Sequence, residues 1–493
     1  MIPSTNDIAT LSALTDKCRF QQHRWSVLPV RRRLEPVRAF RRLLVEKCDS
    51  LCASTANDIG KPAQETIGAE ILPLAEACRF LERQACRLLK PRRVPISQRP
   101  LWLWGQSDVV YRRPRGLVGI IGTWNYPLLL NGVQILQALT AGNAVLWKPS
   151  EVAPSCADVL QDLIHQAGFP DGLFGALPAT REAGKQLADA DIDHMIFTGS
   201  AVVGRALAEH LGKRLVSSTL ELSGCDAQFV LDDADIDLAA RAAWFGATVN
   251  RGQTCLAVRR AFVQRGVYQA FLRALQPLVN CGRINWLALA AQARLAGRLV
   301  RQALSEGARL LNKDSQLPAD DGSAACAPLV VVDARPEMDL CREAPFAPVL
   351  AVIPFDTEQE ALAMDGQCDY ALGASVFTRR PARAERLARH LRVGMVAVND
   401  VIAPTAHPAT PFGGRGASGW GVTQGAEGLL EMTVPQVVSL REGRFRPHFD
   451  MALGSPSGQD DLMRAVLESG HASSLRKRAS GWMRLVRCLL RTD

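Results

Sequence analysis

The sequence lacks the patterns that would place its 13 cysteines in disulfides or metal sites. It contains no CxxC pair and no histidines at finger-like spacing, so we expect a reduced chain that binds no metal. The N-terminal stretch MIPSTNDIATLSALTDKC has no basic segment followed by an apolar core, which argues against a secretory signal. These absences predict a cytoplasmic protein.

Charge is absent from one long segment, Gly116–Trp147, which is long enough to span a bilayer. Side-chain amides and repeated glycines interrupt it, and this argues against a membrane span. We predict instead a buried strand at 118–122, a loop, a helix at about 131–141 and a second buried strand at 144–147.

The overall composition is that of a soluble globular protein. Of the 493 residues, 47% are hydrophobic and 22% are charged, which excludes a disordered chain and predicts two or three domains. The net charge of +9 suits nucleic acid or an anionic lipid surface, but a folded body of this size also carries such charge for solubility. We favour solubility and expect no nucleic-acid partner.

Short apolar strands alternate with helices in two successive sets after an Arg- and Leu-rich helical region at 1–90. Such alternation predicts parallel sheets covered by helices, and therefore two Rossmann-like α/β domains with a cleft between them. The stretches 312–326 and 454–461 are predicted to be exposed loops or linkers.

Two strand ends carry residues suited to a nucleotide. Gly199-Ser200 ends one strand just before a helix with Gly204 near its start, where backbone N–H groups favour an anion. Lys148, Ser150 and Glu151 end another strand, at the sheet edge where ribose hydroxyls bind. Each also has a plain structural interpretation, namely a strand-to-helix turn at Gly199 and a helix cap with Glu151 in the first turn.

Three further residues have side chains of the kinds that take part in enzyme reactions. Asn125 lies in an uncharged loop, where its amide suits an oxyanion. Glu221 lies in an apolar strand, where burial raises the pKa of a carboxyl towards that of a general base. Cys255, in NRGQTC, is one of 13 cysteines and can equally be a small apolar filler. Taken singly, each is more often structural than catalytic.

Taken in order, seven motifs resemble the aldehyde dehydrogenase superfamily from roughly residue 30 to 440. The class 3-like branch, which includes fatty-aldehyde enzymes, is the most similar. The motifs are TWNYP, LWKPSE, FTGSAVVG, LELSG, NRGQTC, PFAPVL and PFGGRGASGWG.

The resemblance implies NAD-dependent oxidation of an aldehyde to a carboxylic acid. Cys255 is then the nucleophile, Asn125 and the backbone N–H of Cys255 stabilise the oxyanion, and Glu221 activates water to hydrolyse the thioester. A carboxylate at Glu151 favours NAD over NADP, because it repels a 2′-phosphate. The residues expected to bind the cofactor are Trp124, Lys148, Ser150, Glu151, Gly199, Ser200, Gly204 and Phe346.

The chain departs from the family pattern beside the cofactor. Ala344 stands where the family usually has a glutamate that holds the nicotinamide ribose, although Glu343 is adjacent. Ser223 replaces a glycine in LELSG. Two alternatives therefore stay open: an acylating or phosphate-linked semialdehyde reductase of the superfamily, and a catalytically impaired, membrane-associated scaffold.

The resemblance also implies a division of the chain and a homodimer. Residues 1–220 would form N-terminal helices and the NAD-binding domain, and 221–410 the catalytic domain. Residues 100–115 and 411–450 would supply a small bridging element with an oligomerisation strand, and 451–493 a linker and a C-terminal helix.

The C-terminal segment 475–491 has six basic residues and no acidic one. Helical spacing places Trp482, Met483, Val486 and other apolar residues on one arc and most of the basic residues opposite. This pattern favours a helix lying on an anionic membrane surface at the inner face, with packing on protein as the alternative. A membrane location favours substrates that dissolve in lipid, and we therefore predict that the substrate is a long-chain or isoprenoid-derived aldehyde. The resemblance also places apolar residues near the active site, namely Leu128, Leu129, Leu130, Val133 and Phe412.

Overall fold

Helices dominate the first ninety residues, as the Arg- and Leu-rich periodicity predicts. The computed structural model describes residues 5–443, 446, 449 and 459–490. A π-helical turn at Ile67–Ile71 joins the fourth helix to the fifth. In chain order the α-helices are α1 Thr5–Ser26, α2 Val30–Glu46, α3 Cys48–Ile59, α4 Ala63–Thr66, α5 Leu72–Leu88, α6 Leu129–Ala141, α7 Pro154–Gln166, α8 Arg181–Asp189, α9 Ala201–Lys213, α10 Ile236–Thr248, α11 Arg265–Asn280, α12 Ala290–Ser305, α13 Glu358–Asp365, α14 Pro381–Ala388, α15 Gly425–Glu431, α16 Gln459–His471 and α17 Leu475–Leu490.

Strands begin after α5, and from β3 onward many of them are separated by helices. In chain order they are β1 Arg92–Arg93, β2 Gln106–Pro114, β3 Leu117–Ile121, β4 Ala144–Lys148, β5 Phe174–Ala176, β6 His194–Gly199, β7 Ser217–Leu222, β8 Asp226–Val230, β9 Val258–Gln264, β10 Asn285–Trp286, β11 Arg309–Leu310, β12 Ala325–Cys326, β13 Leu329–Val332, β14 Val349–Phe355, β15 Tyr370–Ala371, β16 Gly373–Phe377, β17 Met395–Val398, β18 Arg415–Gly416, β19 Gly419–Trp420 and β20 Thr433–Arg441.

The chain divides into two units. The larger comprises the residues up to Leu89 together with Arg113–Val434, and the smaller comprises Lys90–Arg112 and the described residues from Pro435 onward. The functional division of the chain into cofactor and catalytic domains stays a prediction.

The larger unit contains two mainly parallel sheets, which confirms the predicted α/β fold. One has the order β19-β7-β6-β3-β4-β5 and the other the order β11-β13-β14-β9-β8-β16-β17. Only the edge strands β19 and β11 pair antiparallel within these two sheets. In the second sheet alternate residues enter separate cores on the two faces, as with Val331 and Val332 of β13. Burial of both faces explains why the strands read as continuous apolar runs.

The uncharged segment forms the centre of the first sheet. β3, α6 and β4 lie within two residues of the bounds predicted for 118–122, 131–141 and 144–147. α6 ends at Ala141 and is followed by Gly142, whose φ of 105° is strained for any side chain. The Asn143 side chain then accepts a hydrogen bond from Gly116 N at 2.9 Å, which ties the end of the helix to the start of β3.

The smaller unit contains a three-stranded sheet in the order β1-β2-β20 and the helix pair α16 and α17. The prediction of a loop over 454–461 is wrong for its last residues, since α16 begins at Gln459; residues 454–458 lie outside the described part of the chain. The described residues include no helix that is both long enough and apolar enough to cross a membrane.

Candidate active site

Cys255 lies at the end of a loop with unusual backbone geometry. The loop leaves α10 through a 3-10 turn, in which Asn250, Arg251 and Gly252 have φ angles of 49°, 57° and 72°. Left-handed backbone disfavours side chains. At Gly252 a Cβ atom would also stand 2.4 Å from the backbone of Ala347, so glycine is required there.

The buried side chain of Arg259 stabilises this loop through hydrogen bonds to its backbone. Its guanidinium donates hydrogen bonds to the carbonyl oxygens of Gly252 and Ala347. Burial lowers the pKa of Arg259 to about 10, so the group stays cationic at neutral pH. Arg260 is buried beside it, donating to Cys225 O at 2.7 Å and pairing with Asp365 at 2.8 Å. Arg259 therefore supports the cysteine loop, whereas Arg260 ties β9 to Cys225 and Asp365.

Asn125 is oriented by hydrogen bonds on both sides of its amide. Its Oδ1 accepts from Thr123 Oγ1 at 2.8 Å, and its Nδ2 donates to Gln253 O at 3.0 Å. The Asn250 side chain donates to the carbonyl oxygen of Asn125 at 2.9 Å, which links the two loops. Because an amide carries two N–H donors, Asn125 has a second one for an oxyanion.

Glu221 is a buried carboxyl held by three donors. Gln134 Nε2 donates to Oε2 at 3.1 Å, Thr198 Oγ1 donates to Oε2 at 3.3 Å, and Thr423 Oγ1 donates to Oε1. Burial raises the pKa of Glu221 to about 7, although these hydrogen bonds oppose the shift. Near neutral pH a large fraction of this group is therefore ionised and able to take a proton. Sequence reasoning did not assign Gln134, Thr198 or Thr423 to the site. The position of Gln134 in an uncharged helical segment was the one feature of the sequence that pointed to a buried amide.

Two cavities meet at Cys255. The first, which we call the apolar cavity, has a volume of about 330 Å³ and is walled mainly by Leu129, Leu130, Phe245, Val249, Ile402 and Phe412. The second, the cleft cavity, measures about 390 Å³ and is lined by Cys255, Asn125 and Glu221. Of the five apolar residues expected near the site, Leu129, Leu130 and Phe412 line these cavities, whereas Leu128 and Val133 pack in the hydrophobic core.

The thiol of Cys255 is protonated at rest. Burial raises the pKa of Cys255 to about 12, and the carboxyls of Asp226 and Glu221 add to the shift. A thiolate is the nucleophilic form, so a reaction at Cys255 requires a proton acceptor within the site. Glu221 lines the same cleft cavity and is available for this role.

The cleft cavity is lined by four of the eight residues expected to bind a dinucleotide. Gly199, Ser200 and the start of α9 line it, and Ser200 Oγ caps that helix by accepting from Val203 N at 3.4 Å. The rings of Trp124 and Phe346 stand 5.9 Å apart on another part of its wall. Helix N-terminal N–H groups attract phosphate, and aromatic rings pack on a flat heterocycle, so these residues fit a dinucleotide.

Glu343 and Ala344 both line the cleft cavity. Ala344 has no carboxylate, but the carboxylate of the adjacent Glu343 lines the same cavity. Gly204 plays a packing role: a Cβ atom there would stand 2.5 Å from Leu222, so its absence brings α9 close to β7.

Lys148 and Glu151 form an ion pair at the end of β4, and Ser150 between them accepts a hydrogen bond from Val152 N at 3.3 Å. Lys148 Nζ is buried and lies 2.9 Å from Glu151, which also pairs with exposed Arg181 at 3.1 Å. Burial alone would raise the pKa of Glu151, but the hydrogen bonds from Lys148 and Arg181 lower it to about 2. The alternative prediction, that Glu151 lies in the first turn of the next helix, is wrong, because α7 begins only at Pro154.

A buried ion pair supports the Asn125 loop and was missed in the sequence. Lys61 Nζ lies 2.5 Å from Glu70 Oε1, and both side chains are 0% exposed. Lys61 also donates to Asn125 O at 2.8 Å, while Glu70 Oε2 accepts from Leu128 N at 2.8 Å. The pair therefore holds both the loop and the N-terminus of α6.

Comparisons with known proteins agree with this geometry. Residues 5–438 match the family model described as "Aldehyde dehydrogenase family". A 4,4′-diapolycopene aldehyde oxidase from Methylomonas is 34% identical, with the match covering 83% of this chain and 78% of the relative. A Mycobacterium bovis relative, provisionally named a succinate-semialdehyde dehydrogenase of the NADP(+) type, is 31% identical over 87% of this chain and 84% of its own length. The crystal structure of a Mycobacterium tuberculosis aldehyde dehydrogenase complexed with NAD+ matches with a TM-score of 0.82 at 28% identity, covering 89% of this chain and 92% of that one.

Replacement of Glu70 by glutamine tests the supporting ion pair. The substitution leaves the Lys61 charge buried without its partner, which typically costs about 3–5 kcal/mol. We expect a clearly lower midpoint of urea unfolding, together with a lower turnover because the Asn125 loop loses its anchor. Glu209→Gln, in an exposed pair with Lys213, is the matched control and should leave the midpoint unchanged. An unchanged midpoint in Glu70→Gln would show that the pair does not stabilise the fold.

Proposed function

This chain belongs to the aldehyde dehydrogenase family, and from that premise we propose that it oxidises an apolar aldehyde to the carboxylic acid with NAD. One observation carries the proposal. Cys255 stands at the junction of an apolar cavity and a cleft cavity that also holds Asn125 and Glu221. A substrate in the first cavity and a cofactor in the second would both reach the same sulfur atom.

The first step forms a bond between Cys255 Sγ and the carbonyl carbon of the aldehyde. The thiol proton passes to the Glu221 carboxylate, whose raised pKa allows it to accept the proton near neutral pH. The carbonyl oxygen becomes an oxyanion, which the second N–H of Asn125 and the backbone N–H of Cys255 stabilise.

NAD, when bound, supplies the acceptor for the hydride that leaves the substrate carbon. The residues that would hold it are Gly199 and Ser200 at the pyrophosphate, Trp124 and Phe346 at the wall, and Lys148 and Glu151 at the adenosine ribose. NAD is favoured over NADP because the ionised Glu151 repels a 2′-phosphate. The structure of the NAD+ complex of the mycobacterial neighbour supports this choice.

The last step releases the acyl group from Cys255. Glu221 first releases the thiol proton to solvent and then takes a proton from water, and the hydroxide attacks the thioester carbon. The Cys255 thiolate leaves and takes this second proton from Glu221. The presence of this buried base supports hydrolysis to the acid. It argues against an acylating reductase, which would pass the acyl group to a thiol or to phosphate.

An apolar substrate is supported by the wall of the apolar cavity and by one relative. The aliphatic and aromatic side chains there stabilise a hydrocarbon by burying it from water. The name of the Methylomonas relative refers to the aldehyde of an apolar polyene, diapolycopene. We therefore propose long-chain or isoprenoid-derived aldehydes as substrates.

Formation of NADH from decanal tests the proposed function. We expect wild-type protein to reduce NAD with decanal and Cys255→Ala to lose at least about a thousandfold in rate, because no other group can form the thioester. Cys281→Ala, at an exposed cysteine, is the matched control and should keep wild-type activity. Wild-type inactivity on decanal and on shorter aldehydes, or activity surviving in Cys255→Ala, would contradict the proposal.

The C-terminal helix supports a location on the inner face of an anionic membrane. α17 buries Leu485 and leaves Trp482, Met483 and Val486 about half exposed to solvent. Lys477 and Arg487 are exposed as well. An exposed apolar patch beside cationic side chains suits an interface between hydrocarbon and anionic headgroups.

Co-sedimentation with vesicles tests this location. We expect the protein to sediment with vesicles of mixed phosphatidylglycerol and phosphatidylcholine and to stay in solution with phosphatidylcholine alone. The double variant Trp482→Glu/Met483→Glu should remain in solution. Val27→Glu/Val45→Glu makes the same change of charge at exposed positions elsewhere and should still sediment. Equal loss in both doubles, or no sedimentation of the wild type, would contradict a membrane role.

A homodimer is supported by the edge strand β20. Val437, Val438 and Leu440 are exposed on this strand, which pairs on one side only with β2 in its sheet. An apolar strand at the edge of a sheet, as β20 is among the described strands, is suited to pairing with a second copy of the chain.

A further inference from the structure

The apolar cavity contains one carboxylate, that of Glu65. The other polar side chains of its wall bond to protein groups. Tyr126 and Thr254 share a hydrogen bond of 2.8 Å, and Gln424 donates to Thr405 O at 3.3 Å. Glu65 Oε1, in contrast, is buried with no hydrogen-bond partner. An unpartnered buried oxygen of an acid is costly, and this suggests that it acts on what enters the cavity.

There is room for a ligand beside this carboxylate. Glu65 belongs to α4, and Gly68 and Ala69, one turn later, line the same cavity. A Cβ atom added at Gly68 would meet no heavy atom within 4 Å. The helical segment therefore presents an acid with open space next to it.

The neighbouring cations are engaged elsewhere. Lys61 is paired with Glu70 at 2.5 Å, and Arg251 donates to the carbonyl oxygens of Ile59 and Gly60. The negative charge of Glu65 acts on Tyr126, which lines the cavity. Burial is the main cause of the raised pKa of Tyr126, and the charge of Glu65 raises this pKa further. Arg251 lies within the electrostatic reach of Glu65 and weakens its field without bonding to it in the described contacts.

We propose that Glu65 makes the apolar cavity selective by charge, admitting neutral aldehydes and rejecting those that carry a carboxylate. Two negative charges close together in a site of low polarity repel strongly, and such repulsion is a common way to exclude a wrong ligand. The inference rests on the proposed function and narrows its substrate class. It assigns Glu65 a role in substrate specificity and leaves the proposed chemical steps to Cys255, Asn125 and Glu221.

Kinetics on a matched pair of aldehydes test the inference. Succinate semialdehyde and its methyl ester have the same reacting end and differ at the far end by one negative charge. We expect wild-type kcat/KM to be at least about tenfold higher for the ester. Glu65→Gln should raise kcat/KM for succinate semialdehyde about tenfold, mainly through KM, and leave the ester within about twofold. Glu76→Gln, at an exposed acid of α5, is the matched control and should change neither value.

Alkylation of Cys255 gives a second measurement that needs no turnover. Iodoacetamide is neutral and iodoacetate is anionic, and both label the cysteine thiol. We expect Glu65→Gln to raise the labelling rate of Cys255 by iodoacetate relative to iodoacetamide by about tenfold, measured by peptide mass spectrometry.

The two measurements separate the inference from the function on which it rests. A shift in the labelling ratio without oxidation of any aldehyde supports charge selection by Glu65 and contradicts the proposed function. Aldehyde oxidation with unchanged ratios in both experiments overturns the inference and leaves the proposed function intact. A merely structural role of Glu65 would change both members of each pair equally and would also overturn it.

Discussion

The site depends on the bonds that the buried Arg259 guanidinium makes to the carbonyl oxygens of Gly252 and Ala347. The cysteine loop follows three successive left-handed residues, a conformation that neighbouring contacts must maintain. Arg259 ties this loop to the segment that carries Phe346, so the nucleophile and one wall of the cleft cavity keep a fixed spacing. Cys255 can stand between two cavities only while that spacing holds.

Burial gives the reacting groups complementary properties. It raises the pKa of the Cys255 thiol to about 12 and that of the Glu221 carboxyl to about 7, so the resting site holds a neutral thiol beside a base that is ready to accept its proton. The same low polarity would strengthen the oxyanion contacts proposed for Asn125 and the repulsion proposed for Glu65. One environment of low polarity therefore serves both the proposed chemistry and the proposed choice of substrate.

The sequence predicted the fold, which the structure confirms, and the residues that we propose to react, because both leave local signals. Uncharged runs marked the buried strands, and Cys255, Asn125 and Glu221 stood in motifs whose order identified the family. The supporting residues gave no such signal. Lys61 and Glu70 resemble surface charges of an N-terminal helical region, and only tertiary packing buries them. Thr423 and Ala347 reach the site from distant parts of the chain, so no local pattern reveals their contacts.

The central claim is that the substrate becomes covalently attached to Cys255 and that Glu221 releases it. Mass spectrometry of the Glu221→Gln variant after incubation with decanal and NAD tests this claim most directly. The account predicts a stable decanoyl group on the Cys255 peptide and no other labelled cysteine, since the variant forms the thioester and cannot activate water. Rapid multiple turnover by this variant, or an acyl group on a different cysteine, would contradict it.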